Sequence, residues 1–470
     1  MSQQRGLTVT FVGGGSYRLL PILRAAFTVR PVFQGGQVRL VDRDLARAEA
    51  VGRMVQRTPE FAGLDCQVTW SSDLDRALEG SDALYVTMAV GDPLASARSD
   101  EASYQRGFIS SDQLSVTGAF LALTAGPAIL GFARRMEKYC PDALLLDFAN
   151  PVAGYSGMVN NHTRIRALGL CGGFTNHRWD LTRLINGKDE YRDDYDVDVA
   201  GVNHLSFILR GTCRGEDLYE VLGRQVGKGW RPPRLEPIMR HAEPHIHYAL
   251  RKLVWMYHRF GRVIFSTEGD GMAHFFYEEM FARSAEGRQP RSLPQMHAGA
   301  REQARRRIDA DREFREYLDR PLDARFWAQP IGVNRWFGRE DNDVVVPVFR
   351  ALAGLGEQKI AASAVHHGAV AGFKDRTVLE FSQLVDENGP RPAGQFEIPD
   401  CFHGLIDSLA THQTMLGDAI AARDPRILAD ALFAYPVKQN TRDSRDLFRE
   451  MLKIHADAIP IEFQAARDYL

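Results

Sequence analysis

The feature that most constrains this chain is a glycine turn that follows a short apolar strand and opens a helix. Residues 7–12 (LTVTFV) are apolar and β-branched, Gly13-Gly14-Gly15-Ser16 follows, and a helical pattern runs from Tyr17 to about Phe27. Later strand patterns alternate with helical patterns, the strands at 38–42, 67–72, 83–90 and 143–151 and the helices at 44–57 and 118–139. Such alternation predicts an α/β fold with a Rossmann-type, doubly wound parallel sheet.

The pattern changes after about residue 175. Strand material at 196–209 is followed by helical stretches, at 240–260, 295–325, 402–434 and 443–460. The chain of 470 residues is long enough for two or three domains. We therefore predict a Rossmann-type domain over 1–175. The rest, 176–470, is predicted to be a mixed, mostly helical α+β domain.

Charge and cysteine usage narrow the class of protein. Lys and Arg number 58 against 60 Asp and Glu, a net charge of −2, so a dedicated nucleic-acid or membrane-surface binder is not expected. The five cysteines are scattered, which indicates free thiols in a reducing compartment. The first residues do not resemble a signal peptide, and no 18-residue apolar stretch stands out as a membrane span. We expect a cytoplasmic protein.

The glycine turn is the first candidate site. The segment Gly13-Gly14-Gly15-Ser16 would let backbone N–H groups at a helix N-terminus approach a pyrophosphate. Arg18 stands where a complete G-x-G-x-x-G motif has its third glycine. Asp42 ends the second strand, where an acid can accept hydrogen bonds from the ribose hydroxyls of NAD. Arg43 beside it leaves NADP open, and a tight turn in an unrelated α/β protein is the simpler alternative.

A second candidate site combines Cys171, at the end of a strand, with Asn203-His204 inside a later strand pattern. A thiolate, an imidazole and an amide oxygen could hold one divalent metal with positions left open for substrate oxygens. Ligand softness alone favours zinc over manganese. A strand-end cysteine that packs in the core and a histidine with ordinary polar contacts are the alternatives.

These pieces stand in the order of a known family. The chain resembles the NAD-dependent glycosidases of glycoside hydrolase family 4 and their close relatives, and the resemblance covers most of its length. The matching segments are VTFVGGGSYRLLP, VDRD, SDALYVTMAVG with ARSDE, GAFLALTAGPAILGFARRMEKYCPDALLLDFANPV, GLCGGF, GVNHLSF and HHGAVAGFKDRTVLEFSQLVDENGPRP. The segments ANPV, GLC and VNHL in series are more specific than any one alone.

The resemblance implies a redox route to glycoside cleavage. In that family NAD oxidises the sugar at C3, which acidifies the C2 proton; a base, commonly a tyrosinate, removes it, and the aglycone leaves C1 by elimination. Water then adds and NADH returns the hydride, whereas other glycosidases use paired carboxylates. Manganese would polarise the C3 carbonyl.

Family positions assign roles to residues of this chain. Cys171 and His204 match the metal ligands, Asn150 matches a residue at the sugar, and Asn203 would support the metal or a substrate hydroxyl. The base lies before the segment FGRVIFSTEGDG, and Tyr248 is preferred to Tyr257. Helix packing is the alternative role for both tyrosines.

Two departures from the family pattern affect the general acid. Many members carry Asp, Asn or His after the metal cysteine, and this chain has Gly172. Asp112 and Asp147 are possible substitutes, and Asp112 is the one we select as a catalytic residue. The family's Gly-Pro-Gly-Gly loop is also replaced, around Ser115-Val116-Thr117-Gly118. These changes indicate a divergent branch, and one that works without metal stays open.

The expected substrate is a small glycoside that carries an anion at C6, with a sulfoquinovoside as the first guess, after the related NAD-dependent sulfoquinovosidases. Arg98 and Arg178 are the selected donors to the anion; further donors are Arg106, Trp179 and Lys438. Alternatives are an α-glucosidase, α-galactosidase, α-glucuronidase or 6-phospho-glycosidase of the same family. A plain NAD-dependent dehydrogenase of a sugar or 2-hydroxy acid, and a non-catalytic NAD sensor, are more distant rivals. The resemblance implies NAD binding by 1–175, and substrate binding, catalysis and oligomerisation by 176–470. Relatives suggest a homodimer or homotetramer.

Overall fold

The computed structural model describes most of the chain. The described residues are 6–88, 91–171, 173–190, 194–227, 229–265, 270–271, 292–318, 320–329, 337, 344–435 and 441–470. Two positions named above, Gly172 and Lys438, lie outside these ranges.

The strands of the described residues form one continuous sheet. In chain order they are β1 (Thr8–Val12), β2 (Gly36–Val41), β3 (Cys66–Ser71), β4 (Ala83–Val86), β5 (Leu144–Asp147), β6 (Ala167–Gly169), β7 (Tyr195–Val202), β8 (Leu205–Cys213), β9 (Glu216–Asp217), β10 (Val263–Ile264), β11 (Gln358–Val365), β12 (Val378–Asp386) and β13 (Gly389–Pro392). Their spatial order is β10-β8-β7-β12-β11-β6-β5-β4-β1-β2-β3, with β13 beside β12 and β9 beside β8.

One half of the sheet is the predicted Rossmann unit. Strands β6-β5-β4-β1-β2-β3 are all parallel, and their order is that of a doubly wound dinucleotide-binding fold. β1, β4 and β5 are buried along their whole length, as expected for parallel strands covered by helices on both faces. The predicted fold class is confirmed for this half.

The other half is antiparallel and continues the same sheet. β11 pairs with β6 through Ser363 and Gly169, and β12 joins β11 to β7. The sequence analysis described this half as mostly helical and did not predict β11, β12 and β13, although β12 pairs with β11 and β13, its neighbours along the chain. The division at residue 175 stays a prediction, and the sheet runs through it.

The helices cover the two faces of the sheet. They are α1 (Leu19–Phe27), α2 (Leu45–Gln56), α3 (Leu74–Leu78), α4 (Pro93–Gln105), α5 (Val116–Tyr139), α6 (Val152–His162), α7 (Gly173–Asn186), α8 (Leu218–Gln225), α9 (Glu243–Phe260), α10 (Leu293–Tyr317), α11 (Ala324–Trp327), α12 (Val345–Leu352), α13 (Asp400–Ala422), α14 (Pro425–Ala434) and α15 (Thr441–Ile454). Short 3₁₀ helices are found at Arg30–Val32, Pro237–Ala242 and Ile461–Asp468.

Helix α5 corrects one expectation from the sequence. By length and composition it could cross a membrane, and it is the one described helix that meets this test. Its most apolar window is 72% buried inside the protein, where it packs against α6 and α13. Its apolar residues therefore belong to the core of the fold.

Helix α10 connects the two parts of the site described below. Near its C-terminus Asp311 pairs with Arg47 at 2.6 Å, and the ring of Phe314 lies 6.1 Å from that of Tyr17, beside the glycine turn. Nearer its N-terminus Ala300 and Ala304 pack against α4. Helix α10 thus reaches from the glycine turn to the neighbouring cavity.

Candidate functional site

Three parallel strands deliver their following residues to one edge of the sheet. The glycine turn follows β1, Asn150 follows β5, and Cys171 follows β6. Because the carboxyl ends of parallel strands share an edge, these segments lie together where doubly wound folds bind their ligands.

The glycine turn is shaped by close backbone contacts. Gly13 has φ +84°, and a Cβ atom there would stand 2.7 Å from the backbone nitrogen of Met88. A Cβ on Gly14 would stand 2.8 Å from the backbone nitrogen of Val41. Ser16 N–H donates to the Gly13 carbonyl at 2.8 Å, which closes the turn before α1. These two glycines are therefore required by the fold of the turn itself.

Asp42 lies beside the turn, as the sequence predicted. Its carboxylate accepts hydrogen bonds from the backbone N–H of Gly15 at 2.9 Å and of Asp44 at 3.0 Å. Arg43 is exposed, and so is Arg18 at the missing third glycine, whose guanidinium lies 5.9 Å from the centre of the Phe148 ring. Arg47 donates from Nε to the Gly15 carbonyl, so the turn is also tied to α2. The roles of these residues toward a nucleotide remain predictions.

The structure brings Cys171 and His204 together, and adds Asp270. Cys171 Sγ lies 3.6 Å from His204 Nε2, and His204 Nδ1 lies 3.0 Å from Asp270 Oδ1. His204 occupies the two-residue turn between β7 and β8 with φ +70°, an uncommon conformation for a side chain this large. Gly271 packs so closely that a Cβ there would stand 1.9 Å from the His204 carbonyl oxygen.

The carboxylate fixes the protonation of the imidazole. Burial alone would lower the pKa of His204, but Asp270 and Cys171 outweigh it and hold this pKa well above its ordinary value. Burial opposes ionisation of Asp270, yet His204, the Ser111 hydroxyl and the Leu114 N–H hold its pKa below the usual range. In the neutral ring Nδ1–H donates to Asp270 and the Nε2 lone pair is directed at Cys171.

This pair fits a metal ion with open positions. Two bonds of about 2.0–2.3 Å, as zinc makes to nitrogen and sulfur, can bridge a separation of 3.6 Å. Within the described residues no group of three His, Cys, Asp or Glu side chains could enclose an ion. The residues therefore fit an ion that takes its remaining ligands from substrate or water.

A chain of amide side chains lies next to the pair. Glu380, on β12, accepts hydrogen bonds from Asn203 Nδ2 at 2.7 Å and from the Ser206 hydroxyl at 3.2 Å. Gln113 Nε2 donates to Asn203 Oδ1 at 2.5 Å and to Asn150 Oδ1 at 3.1 Å. The two asparagines selected from the sequence are thus joined through Gln113.

A cavity of about 250 Å³ opens beside His204 and Asp270. Asp112 and Arg307 also line it, with Arg307 Nη2 3.7 Å from Asp112 Oδ2. Asp100 faces the same space, and burial raises its pKa to about 6. Asp112 is therefore placed at the cavity, whereas Asp147 is fully buried behind it, with its pKa raised by burial well above the ordinary value.

The two candidate tyrosines occupy different surroundings. The Tyr248 ring lies 4.7 Å below the buried Lys252 ammonium. Burial, His204 and Lys252 together lower the pKa of His177 to about 3, so Lys252 and His204 flank the same histidine. Tyr257, in contrast, stacks on Tyr219 and directs its hydroxyl to α8.

The selected arginines do not line the described cavity. Arg98 is exposed on α4, and Arg178 lies over the Tyr195 ring at the start of β7. Arg106 pairs with Glu450. Arg307, which does line the cavity, was missed by the sequence analysis because it stands in a helix with many arginines and nothing distinguishes it there.

Asp270, Gln113 and Glu380 were missed as well. Asp270 belongs to the FGRVIFSTEGDG segment already singled out, so its Asp-Gly pair was the available signal. Nothing in the sequence links Gln113 or Glu380 to Asn203, which stands 90 and 177 positions away.

Comparison with known proteins places this chain in one class. A family 4 glycosyl hydrolase model matches residues 8–186, and the model of the family 4 glycosyl hydrolase C-terminal domain matches residues 199–437. The chain belongs to the family 4 glycosyl hydrolases. This confirms the resemblance inferred from the motifs and the class of glycosidase enzymes.

Individual relatives are similar over their whole length. A Bacillus subtilis (strain 168) protein named "Probable 6-phospho-beta-glucosidase" is 22% identical, over 97% of this chain and 98% of its own. An "Alpha-galacturonidase" of Thermoanaerobacter italicus is 23% identical, over 99% and 97%. Neither name is that of a sulfoquinovosidase.

Solved structures share the fold. A 6-phospho-alpha-glucosidase from gut microorganisms, in complex with NAD and Mn²⁺, matches with a TM-score of 0.75 and 19% identity, over 97% of this chain and 99% of that one. The Thermotoga maritima 6-phospho-beta glucosidase with manganese, NAD⁺ and glucose-6-phosphate matches with a TM-score of 0.73 and 17% identity, over 96% and 98%. The fold class predicted from the sequence is therefore confirmed.

Proposed function

We propose that this protein is an NAD-dependent glycoside hydrolase that cleaves a small glycoside with an anionic group at C6. The observation that carries the proposal is the Cys171–His204–Asp270 cluster at the sheet edge that also holds the glycine turn. NAD and Mn²⁺ are bound in two of the similar structures, and the turn and the cluster have the residue types that would hold them here.

The cofactors would be held by separate groups of residues. The Gly13–Ser16 turn and Asp42 would bind NAD, and Cys171 and His204 would bind Mn²⁺ with the open positions left to the substrate. When bound, NAD supplies a reversible oxidation at sugar C3, and the metal supplies polarisation of the oxygen at that carbon.

The protein's own side chains would orient the sugar and move its protons. Asn150, which is half-buried at the sheet edge, would meet a substrate hydroxyl, and Asn203, which is buried and bonded to Gln113, would support that contact. Tyr248 would take the C2 proton, and the buried ammonium of Lys252 lies 4.7 Å from the centre of its ring. Asp112, which lines the cavity, would stand on the side of the departing group.

Arg307 supports an anionic substrate. It is the one arginine among the described residues that line the cavity. The carboxylates of Asp100, Asp112 and Asp270 line the same cavity and would repel an anionic group on the substrate, so such a group would need Arg307 as its partner. The relatives' names add a 6-phosphate and a uronic acid to the possible C6 groups. A C6 sulfonate, the first guess from the sequence, has no support among them and is one arm of the test.

The test is hydrolysis of matched 4-nitrophenyl glycosides that differ at C6. The panel holds the neutral sugar, the uronide, the 6-phosphate and the 6-sulfonate, each as both anomers, with and without NAD and Mn²⁺. We expect release from one anionic member, only with NAD present, and no net NADH. Stoichiometric NADH without aglycone release would instead identify a dehydrogenase and contradict the proposal.

A further inference from the structure

The amide chain at the site has a direction, and Glu380 sets it. Glu380 is 5% exposed and lies on β12, where it pairs with Gly201 of β7, two residues before Asn203. Burial raises the pKa of Glu380, while hydrogen bonds from Asn203 and Ser206 and the nearby His204 favour the ionised form. Both oxygens of Glu380 act as acceptors in the structure, Oε2 from Asn203 Nδ2 and Oε1 from the Ser206 hydroxyl.

The orientation of the other amide groups follows from that acceptor. Because Glu380 takes the Asn203 NH₂ group at 2.7 Å, Asn203 must turn its oxygen to Gln113. Gln113 must then donate, and its single NH₂ group serves both Asn203 Oδ1 and Asn150 Oδ1. The oxygen of Gln113 is buried and has no hydrogen-bond partner among the described residues, as expected if both of its neighbours offer only acceptors.

The amide chain ends at Asn150, which faces the site. Asn150 is half-buried at the carboxyl edge of the sheet, and its oxygen is occupied by Gln113. Its NH₂ group is therefore the end left for a ligand. With the opposite direction the same side chain would offer an oxygen, which suits a different partner.

We propose that Glu380 is a positioning residue: acting through Asn203 and Gln113, it makes Asn150 present a hydrogen-bond donor to the bound sugar or cofactor. This inference rests on the proposed function, since it assumes that Asn150 meets the reacting complex. It assigns a role in catalysis to a buried acid that has no position in the cavity itself.

Reversing the direction of the hydrogen bonds in the amide chain tests the proposal. Glu380 faces the NH₂ end of the Asn203 amide and residue 113 faces its oxygen end, so Gln113→Glu sets a carboxylate against Asn203 Oδ1. We expect Tm at pH 8 to fall by at least about 3 °C. Adding Glu380→Gln leaves a single carboxylate at the other end, so Asn203 can turn over. The double variant should then recover at least half of the lost Tm.

Activity should not recover with stability. In the double variant Asn150 must donate to position 113 and present its oxygen to the ligand. We therefore expect kcat to stay at least about tenfold below wild type, although Tm and the dissociation constant for NAD return. Ser363→Ala is the matched control: Ser363 pairs directly with Glu380 across β11 and β12, is fully buried, and its hydroxyl lacks a partner in the described part of the chain. It should change kcat less than about twofold.

The outcomes separate this inference from the proposed function. If the double variant is no more stable than Gln113→Glu alone, the proposed direction of the hydrogen bonds in the amide chain is wrong. This result comes from Tm alone and needs no enzymatic assay. Recovery of kcat together with Tm would overturn the positioning role and leave a structural one. A wild-type protein that cleaves no glycoside would refute the proposed function, while the Tm measurements would still decide the chain.

Discussion

At the scale of single residues, the candidate metal site depends on a carboxylate that is not itself a predicted ligand. Asp270 holds His204 through Nδ1, with oxygens at 3.0 and 3.1 Å, and it is held in turn by the Leu114 N–H. A partner of this kind selects the ring tautomer and the ring orientation, and loss of such partners typically weakens metal binding by about 10–100-fold.

We predict that Asp270→Asn weakens Mn²⁺ binding by about 10–100-fold, measured by electron paramagnetic resonance titration of free Mn²⁺. The amide keeps the shape but loses the charge that favours a donating Nδ1–H. Asp112→Asn is the matched control, because Asp112 lines the same cavity and makes no contact with His204 in the described structure. Equal Mn²⁺ affinity in wild type and Asp270→Asn would contradict the assigned role.

A second prediction at this scale separates the two tyrosines. Tyr248→Phe should lower kcat at least about 100-fold because the C2 proton loses its acceptor, while NAD still binds. Tyr257→Phe should change kcat less than about threefold, since its hydroxyl points to α8. A primary isotope effect at C2, present in wild type, reports the same step. Similar losses in both variants would contradict the choice of Tyr248.

At the scale of elements, the β1–α1 turn shows how a sequence motif becomes a geometric requirement. Gly13 and Gly35 have similar positive φ angles, +84° and +74°, but their surroundings differ. A Cβ on Gly13 would collide with the β4 backbone extension at Met88, whereas a Cβ on Gly35 would meet no described atom within 4 Å. A side chain at either position carries the strain of a positive φ, but only one at Gly13 also disturbs the shape of the turn.

We predict that Gly13→Ala weakens NAD binding at least about tenfold and that Gly35→Ala leaves it within about twofold. Both variants carry the strain of a positive φ, so both should lose some thermal stability. Titration of NAD by quenching of intrinsic fluorescence measures the affinity. Loss of NAD affinity of the same size in Gly35→Ala would show that the effect arises from general destabilisation.

The same scale explains what the sequence could and could not predict. β1 to β6 were recognisable because each is a short apolar run next to a helical pattern, and Cys171 and His204 were recognisable from family motifs. Glu380 reaches Asn203 only because β12 pairs antiparallel with β7. A pairing between strands so far apart along the chain has no local signal, so the amide chain had to come from the structure. β11–β13, in contrast, pair with neighbours along the chain and were missed.

At the scale of the whole molecule, buried neutral histidines connect stability to pH. Burial lowers the pKa of His412 to about 4, and its Nδ1–H donates to the Ala431 carbonyl at 2.6 Å; burial likewise lowers the pKa of His455 to about 4. Both folded values lie below the unfolded value of about 6.5. The folded state therefore binds fewer protons, and stability is present above pH 6.5 and lost as the pH falls toward 4.

We predict that each of these histidines removes about 2 kcal/mol of stability when the pH falls from 7 to 5. Urea unfolding at the two pH values measures the change. His412→Gln should shrink the difference by about that amount, because glutamine can still donate to Ala431 and does not titrate. The exposed His258→Gln should leave the difference unchanged. An unchanged difference in His412→Gln would contradict this origin of the acid sensitivity.

The central claim concerns the whole assembly of turn, cluster and base: the glycoside is cleaved through a temporary oxidation of its sugar. The most direct measurement is hydrolysis of the best substrate in D₂O, with protein freed of nicotinamide and with NAD restored. Our account predicts cleavage only with NAD, and one deuterium at C2 of the released sugar. Cleavage at full rate without NAD, with no deuterium at C2, would contradict it.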